Sequence, residues 1–210
     1  MKKGAIVVAL ALLVAAPARG EIIDRILATV GTTLILQSDA VAAVRLGFVR
    51  VPPGQQDALQ WAMDRLVERR LMLIEVERYG PPEPTLAEID ARMTRIDADL
   101  RSGQRLEEIL REAGLSVGQL RGWVRDELRL EAYLRQRFGA TFAPTEDELV
   151  RYYRDHEAEF TVDGRLRPFG EVRDRVRAAV AEQRREAAIR EWLASLRRRT
   201  DVNILYLPAR

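Results

Sequence analysis

The chain has 210 residues, with 34 cationic and 32 acidic side chains and no cysteine. Disulfides, thiol catalysis and a lipidated cysteine are thereby excluded, and the near-balance of charge leaves no basic excess to drive nucleic-acid binding through counterion release. The only lysines are Lys2 and Lys3, so nothing downstream can supply the lysine of a nucleotide-binding phosphate loop.

Lys2 and Lys3 precede an apolar run from Ala5 to Ala16, and the triplets Ala16-Pro17-Ala18 and Ala18-Arg19-Gly20 both suit a signal peptidase. Residues 1–20 therefore read as a secretory signal cleaved near Ala18 or Gly20. The run of 12 apolar residues falls short of the roughly 20 that a stable membrane helix needs, although an uncleaved anchor is the competing reading. No later segment approaches that length, and no stable membrane span is expected. Removing Lys2, Lys3 and Arg19 from the 34 cations leaves 31 arginines against 32 acids, a net charge of −1. Arg184-Arg185 and Arg197 to Arg199 are interleaved with Glu182, Glu186, Glu191 and Asp201, a pattern of solvated helix faces carrying Glu/Arg pairs.

Ile22 to Val30 and Leu34 to Leu36 read as two short strands around Gly31-Thr32-Thr33, a turn in which Gly31 can take positive φ. Ser38 is expected to cap a helix through Leu46. Pro52-Pro53-Gly54 breaks the chain before a long helix from Gln55 to Tyr79, with Leu59, Met63, Leu66 and Leu73 or Ile74 as one buried stripe. Gly80-Pro81-Pro82 ends it.

Three helix starts follow from capping chemistry, because Thr85…Glu88, Ser116…Gln119 and Thr145…Glu148 each pair a hydroxyl with an acid or amide three residues on. The expected helices run from Thr85 to Arg101, from Leu106 to Ala113, from Val117 to Phe138, and from Thr145 through VRYYRDHEAEF. Residues 161–168 read as a short linker. A helix from Phe169 to Arg199 follows, on the order of 45 Å long, with Val172, Val176, Val180, Ala187, Leu193 and Leu196 on its buried side. Val202 to Leu207 has the β propensity of a strand that pairs back on the N-terminal hairpin.

In that order, the opening strand pair, MDRLVERRLMLIEVERYG, EEILREAGLSVGQLRGWVRDELRLEAYL, TEDELVRYYRDHEAEF and FGEVRDRVRAAVAEQRREAAIREWLASLRRRTDVNIL resemble successive parts of the SurA-like periplasmic chaperones. No single motif is diagnostic, and the signal is their serial agreement. The resemblance implies a mainly α fold: a discontinuous helical chaperone domain with a small β-sheet pairing the N-terminal hairpin and the C-terminal strand. Residues 21–160 would form its first part and 169–210 would complete it. In isomerase-bearing relatives a parvulin-type domain occupies the position of residues 161–168, but eight residues cannot hold a domain of roughly 50 or more.

The resemblance further implies an ATP-independent holdase in the periplasm for unfolded polypeptides, outer-membrane protein precursors among them, with outer-membrane assembly machinery as a further partner. A prolyl isomerase and an adaptor for one fixed partner are the alternatives. Trp61, Met63, Met72, Met93, Trp123, Phe138 and Phe142 lie on or beside the helices expected to wall the groove of that family. Met and aromatic side chains suit a surface that accepts many apolar segments, whereas the competing reading places most of them in the core. No catalytic constellation, metal site or cofactor is expected. His156 is the single histidine and has no visible partner, and Asp97/Asp99 and Glu107/Glu108 read as surface charges.

Overall fold

A computed structural model describes residues 24–100, 103–139 and 144–207. The signal reading of residues 1–20, the expected strand start at Ile22 and Phe142 lie outside the described residues. The chain is mainly α, with a small antiparallel sheet that joins its two ends.

Strands β1 (Ile26–Val30) and β2 (Thr33–Leu36) form the opening hairpin, with Val30 opposite Thr33 and Gly31 at φ +57°. β5 (Val202–Ile204) pairs with the other side of β1, Val202 opposite Val30 and Ile204 opposite Ala28, which places β1 in the middle. Leu27, Ala28 and Val30 are accordingly almost fully buried.

Helix α1 (Gln37–Arg45) begins directly at the end of β2. Ser38 is not its cap. The chain starts to coil at Gln37, and it is the Asp39 carboxylate, at the third helical position, that reaches back to accept from the Leu36 N–H at 3.1 Å. Ser38 instead donates its N–H, at 3.2 Å, and its hydroxyl to Asp24. Helix α2 (Ala58–Tyr79) starts later than the proline break suggests, because Asp57 caps it by accepting from the Gln60 N–H at 2.8 Å. The Tyr206 hydroxyl also donates to Asp57, at 2.9 Å, tying the C-terminal segment to the start of α2.

Helices α3 (Leu86–Ala98), α5 (Val117–Phe138) and α6 (Glu146–Asp155) start at the expected hydroxyl–carboxylate or hydroxyl–amide caps, and α4 (Leu106–Glu112) lies between the first two. A 3-10 turn (Glu157–Phe160) follows α6. Residues 161–168, expected as a plain linker, contain a hairpin of β3 (Thr161–Val162) and β4 (Arg165–Leu166). Its two central residues, Asp163 at φ 51° and Gly164 at φ 74°, both lie in the left-handed region that an Asp-Gly turn favours. Helix α7 (Phe169–Arg199) then runs back to the sheet.

Three apolar clusters hold these elements. The first joins the sheet, α1, α2, the C-terminal half of α5 and the end of α7, through Leu71, Val76, Trp192 and Leu196 among others. The second lies between α1, α3, α4 and the N-terminal half of α5. The third is smaller: Leu149, Phe160, Val172, Val176 and Val180, from α6, the 3-10 turn and the start of α7. Helix α7 thus belongs to two clusters, and its middle, from Ala181 to Ile189, contributes no buried residue to either. The expected stripe on α7 holds at Val172, Val176, Val180 and Leu196, but Ala187 is exposed and Trp192 is the large buried side chain that it lacked. On α2 the buried set is Ala62, Met63, Val67, Leu71, Leu73 and Val76, while Leu59, Leu66 and Ile74 are only half-buried. That helix faces the sheet, α1, α5 and α7, so its burial spreads beyond one stripe.

Candidate functional site

The segment between α1 and α2 turns at Gly47, φ +79°, and lays Phe48 against α5. There Phe48 meets Trp123 edge-on, with ring centroids 5.6 Å apart at 86°. Both rings are half-buried, an arrangement that leaves part of each large apolar side chain accessible while its base is fixed by packing. Trp61 steadies the same segment from the α2 side: its indole N–H donates to the Arg50 carbonyl at 3.0 Å, and the Arg65 guanidinium lies 4.9 Å above its ring.

Phe48 lines two cavities. The smaller, about 140 Å³, lies beside the open edge of β2 and is walled by Leu34, Leu66 and Trp123, with Arg69, Arg70 and Asp39 at its margin. Leu34 is 51% exposed there. The larger, about 710 Å³, is a cleft between the end of α1, α3 and α5, with Leu46, Ile96 and Leu100 contributing apolar surface and Arg50, Arg92 and Arg95 contributing charge.

Ion pairs between helices fix this frame. Arg69 of α2 donates to Glu127 and to the Trp123 carbonyl of α5, both at 3.0 Å, so the same guanidinium sets the spacing of the helices and the height of Trp123. Arg92 of α3 makes a two-pronged bond with Glu131 of α5, at 2.9 and 3.0 Å, the geometry in which a guanidinium holds a carboxylate most firmly. Burial pushes the Asp39 carboxyl above the ordinary carboxylate range, the Leu36 N–H opposes that shift, and the nearby Asp24 charge adds to it.

The structure disperses the other residues singled out from the sequence. Met63, 1% exposed, is inside the first cluster, and Phe138, 9% exposed, packs against Trp192 with ring centroids 5.5 Å apart, so neither offers surface to a client in this conformation. Met72 is half-buried against the first cluster and Met93 against the second. Of the seven, Trp123 lines the groove directly and Trp61 supports it. Phe48 is the wall that the sequence reading missed, because it lies in a loop with no periodicity to mark it; the one available signal was an aromatic residue directly after a glycine at a helix end.

His156 ends α6, stacked on Tyr152 with centroids 3.9 Å apart and with Nδ1 2.9 Å from the Tyr152 carbonyl oxygen. Among the described residues no three His, Asp or Glu side chains converge as metal ligands, and no helix is long and apolar enough to cross a membrane. Phe48 and Trp123 thus form an apolar wall flanked by arginines, in a groove whose helices are tied by the Arg69–Glu127 and Arg92–Glu131 pairs.

No protein-family model matches the chain, and no curated protein matches it as a relative.

Proposed function

We propose that this chain is an ATP-independent holdase that binds unfolded polypeptides in the periplasm, with outer-membrane protein precursors as the expected clients. The observation that carries the reading is the Phe48–Trp123 wall with the two cavities that Phe48 lines. Two half-exposed aromatic rings present large apolar area at little rotamer cost, and a groove open to solvent suits an extended chain. The serial motif resemblance and the leader-like residues 1–20 support the compartment and the client class.

Binding in this reading is shallow and made at several points. A client inserts an apolar side chain beside Phe48 and Trp123, makes further contacts along α3 and α5, and leaves without nucleotide chemistry. Affinity is modest, because both rings are already half-buried by their own packing and only the remaining area is gained on binding.

Light scattering tests it. At equimolar protein, aggregation of a chemically unfolded β-barrel client is expected to slow without ATP, and Phe48→Ala is expected to weaken the effect while circular dichroism stays unchanged. Unaltered scattering with several unrelated clients would remove the holdase reading. Binding to one folded partner and to no unfolded chain would make the protein an adaptor.

A further inference from the structure

We propose that the groove selects its clients by charge: the larger cleft takes a carboxylate side chain of an extended segment, and the smaller cavity takes a bulky apolar side chain of the same segment. The inference rests on the polypeptide-binding reading and goes beyond it by naming the segment.

Three arginines around the cleft are already neutralised. Arg45 pairs with Glu112, Arg92 with Glu131, and Arg69, at the boundary between the cavities, with Glu127. Arg50 and Arg95 are exposed on the cleft and have no ion-pair partner among the described residues. The opposing charge is Asp99, at the end of α3, which is likewise unpaired among the described residues. Two free cations against one free anion leave the cleft positive. Arg95 lies in the last turn of α3, where it also offsets the carbonyl end of the helix. Arg50 lies in the loop beyond Phe48 and has no such duty.

A guanidinium presents five donors in a planar fork that matches a carboxylate in two-pronged geometry. Phosphate would match the charge but not the adjoining cavity, where Leu34, Leu66 and Trp123 supply apolar surface. A peptide carboxylate with apolar neighbours satisfies both. The cleft volume of about 710 Å³ falls within the range of roughly 300–1,000 Å³ typical of ligand sites.

Phe48 lines both cavities, so the two adjoin at that residue. In an extended chain, side chains two residues apart point the same way and stand roughly 7 Å apart. The fitting segment therefore carries a bulky apolar residue and an Asp or Glu two residues along. The smaller cavity, about 140 Å³ between Leu34, Leu66 and Trp123, accepts the apolar side chain.

Fluorescence anisotropy with three dye-labelled peptides, acetylated and amidated at their ends, tests this. The peptides share an apolar residue and differ two positions on, with Glu, Gln or Lys. The Glu peptide is expected to bind on the order of threefold to tenfold tighter than the Gln peptide, as two exposed ion pairs allow, with the Lys peptide weakest. At about 0.5 M salt the preference should shrink. The double variant Arg50→Gln/Arg95→Gln should abolish the preference of Glu over Gln. Both residues are exposed, and an unaltered circular dichroism spectrum would verify the fold.

Equal binding of the three peptides by the unaltered protein would overturn the selectivity while leaving the holdase reading intact. A preference that survives in the double variant, or one that appears only with a free C-terminal carboxylate, would overturn the assignment of an internal carboxylate to Arg50 and Arg95. No binding of any peptide, together with unchanged client aggregation, would remove both the selectivity and the reading beneath it.

Discussion

Single carboxylates divide into two groups with opposite shifts. Glu88 and Glu148 are held below the usual carboxylate range by the N–H and hydroxyl of Thr85 and Thr145, as Glu112, Glu146 and Glu182 are by Arg45, Arg173 and Arg185. Each contributes stability that is present above its unfolded value and is lost as pH falls through its folded value. Asp39 and Glu68 are raised instead, chiefly by burial. For them the folded state holds the proton more tightly, so acidification relieves a cost that ionisation imposes at neutral pH. The lowered group is the more numerous, and the melting temperature is expected to decline from about pH 6 to about pH 3. Asp39→Asn separates the two contributions, because the amide oxygen can still accept from the Leu36 N–H while the buried charge disappears. Thermal unfolding of that variant should show a melting temperature at pH 7 equal to or above that of the unaltered protein, and a steeper fall on acidification, since the relief at Asp39 is gone. A shallower fall would mean that Asp39 titrates as a stabilising acid.

At the scale of elements, the third cluster stands apart because it draws on α6, the 3-10 turn and the first three turns of α7 alone. Phe160, 2% exposed, is its largest side chain, and Phe→Ala in a core costs about 3–5 kcal/mol. Phe160→Ala is therefore expected to raise amide exchange across α6 and the first turns of α7 while α2 keeps its protection; equal loss in both would show that the clusters open together. What the sequence disclosed about these elements follows from how local each cause is. Thr85, Ser116 and Thr145 marked helix starts correctly because a cap and its partner lie three residues apart, and Gly80 marked the end of α2 because the left-handed φ of 55° favours glycine. Trp192 was missed for a reason outside its neighbourhood. Val180 and Trp192 are 12 residues apart, about 120° around a helix at 100° per residue, so α7 turns different faces to its two clusters and no single stripe describes it. The β3–β4 hairpin did carry a local signal, Asp163-Gly164, but its two-residue strands are exposed and show no alternation. In the candidate groove, Trp123 was legible as an aromatic beside a helical stripe, while Phe48 depends on where the loop after Gly47 carries it.

Across the whole molecule, α7 and β5 make the longest-range connection. Trp192 and Leu196 enter the first cluster, Arg199 reaches the buried Glu75 of α2 at 3.0 Å, and β5 covers one side of β1. Glu75 is 5% exposed and, among the described residues, its other partner within 4 Å is Arg78, at 3.8 Å, so removing Arg199 leaves a buried carboxylate with one long contact there. Deleting residues 169–210 strips all of these at once. Truncating a buried Trp costs about 3–5 kcal/mol and a buried Leu about 2–5 kcal/mol, which together approach or exceed the net stability of roughly 5–15 kcal/mol typical of a folded domain. The same deletion removes Val172, Val176 and Val180 from the third cluster, leaving Leu149 and Phe160 without a facing helix. The truncated chain is therefore expected to lose its cooperative thermal transition, measured by circular dichroism at 222 nm. The groove would go with it, although none of its walls lies in the deleted segment, because Leu34 belongs to a hairpin that has lost its third strand and Leu66 to a helix that has lost α7. A cooperative transition within a few degrees of the intact protein would mean that residues 24–160 fold unaided and that α7 is a separate arm.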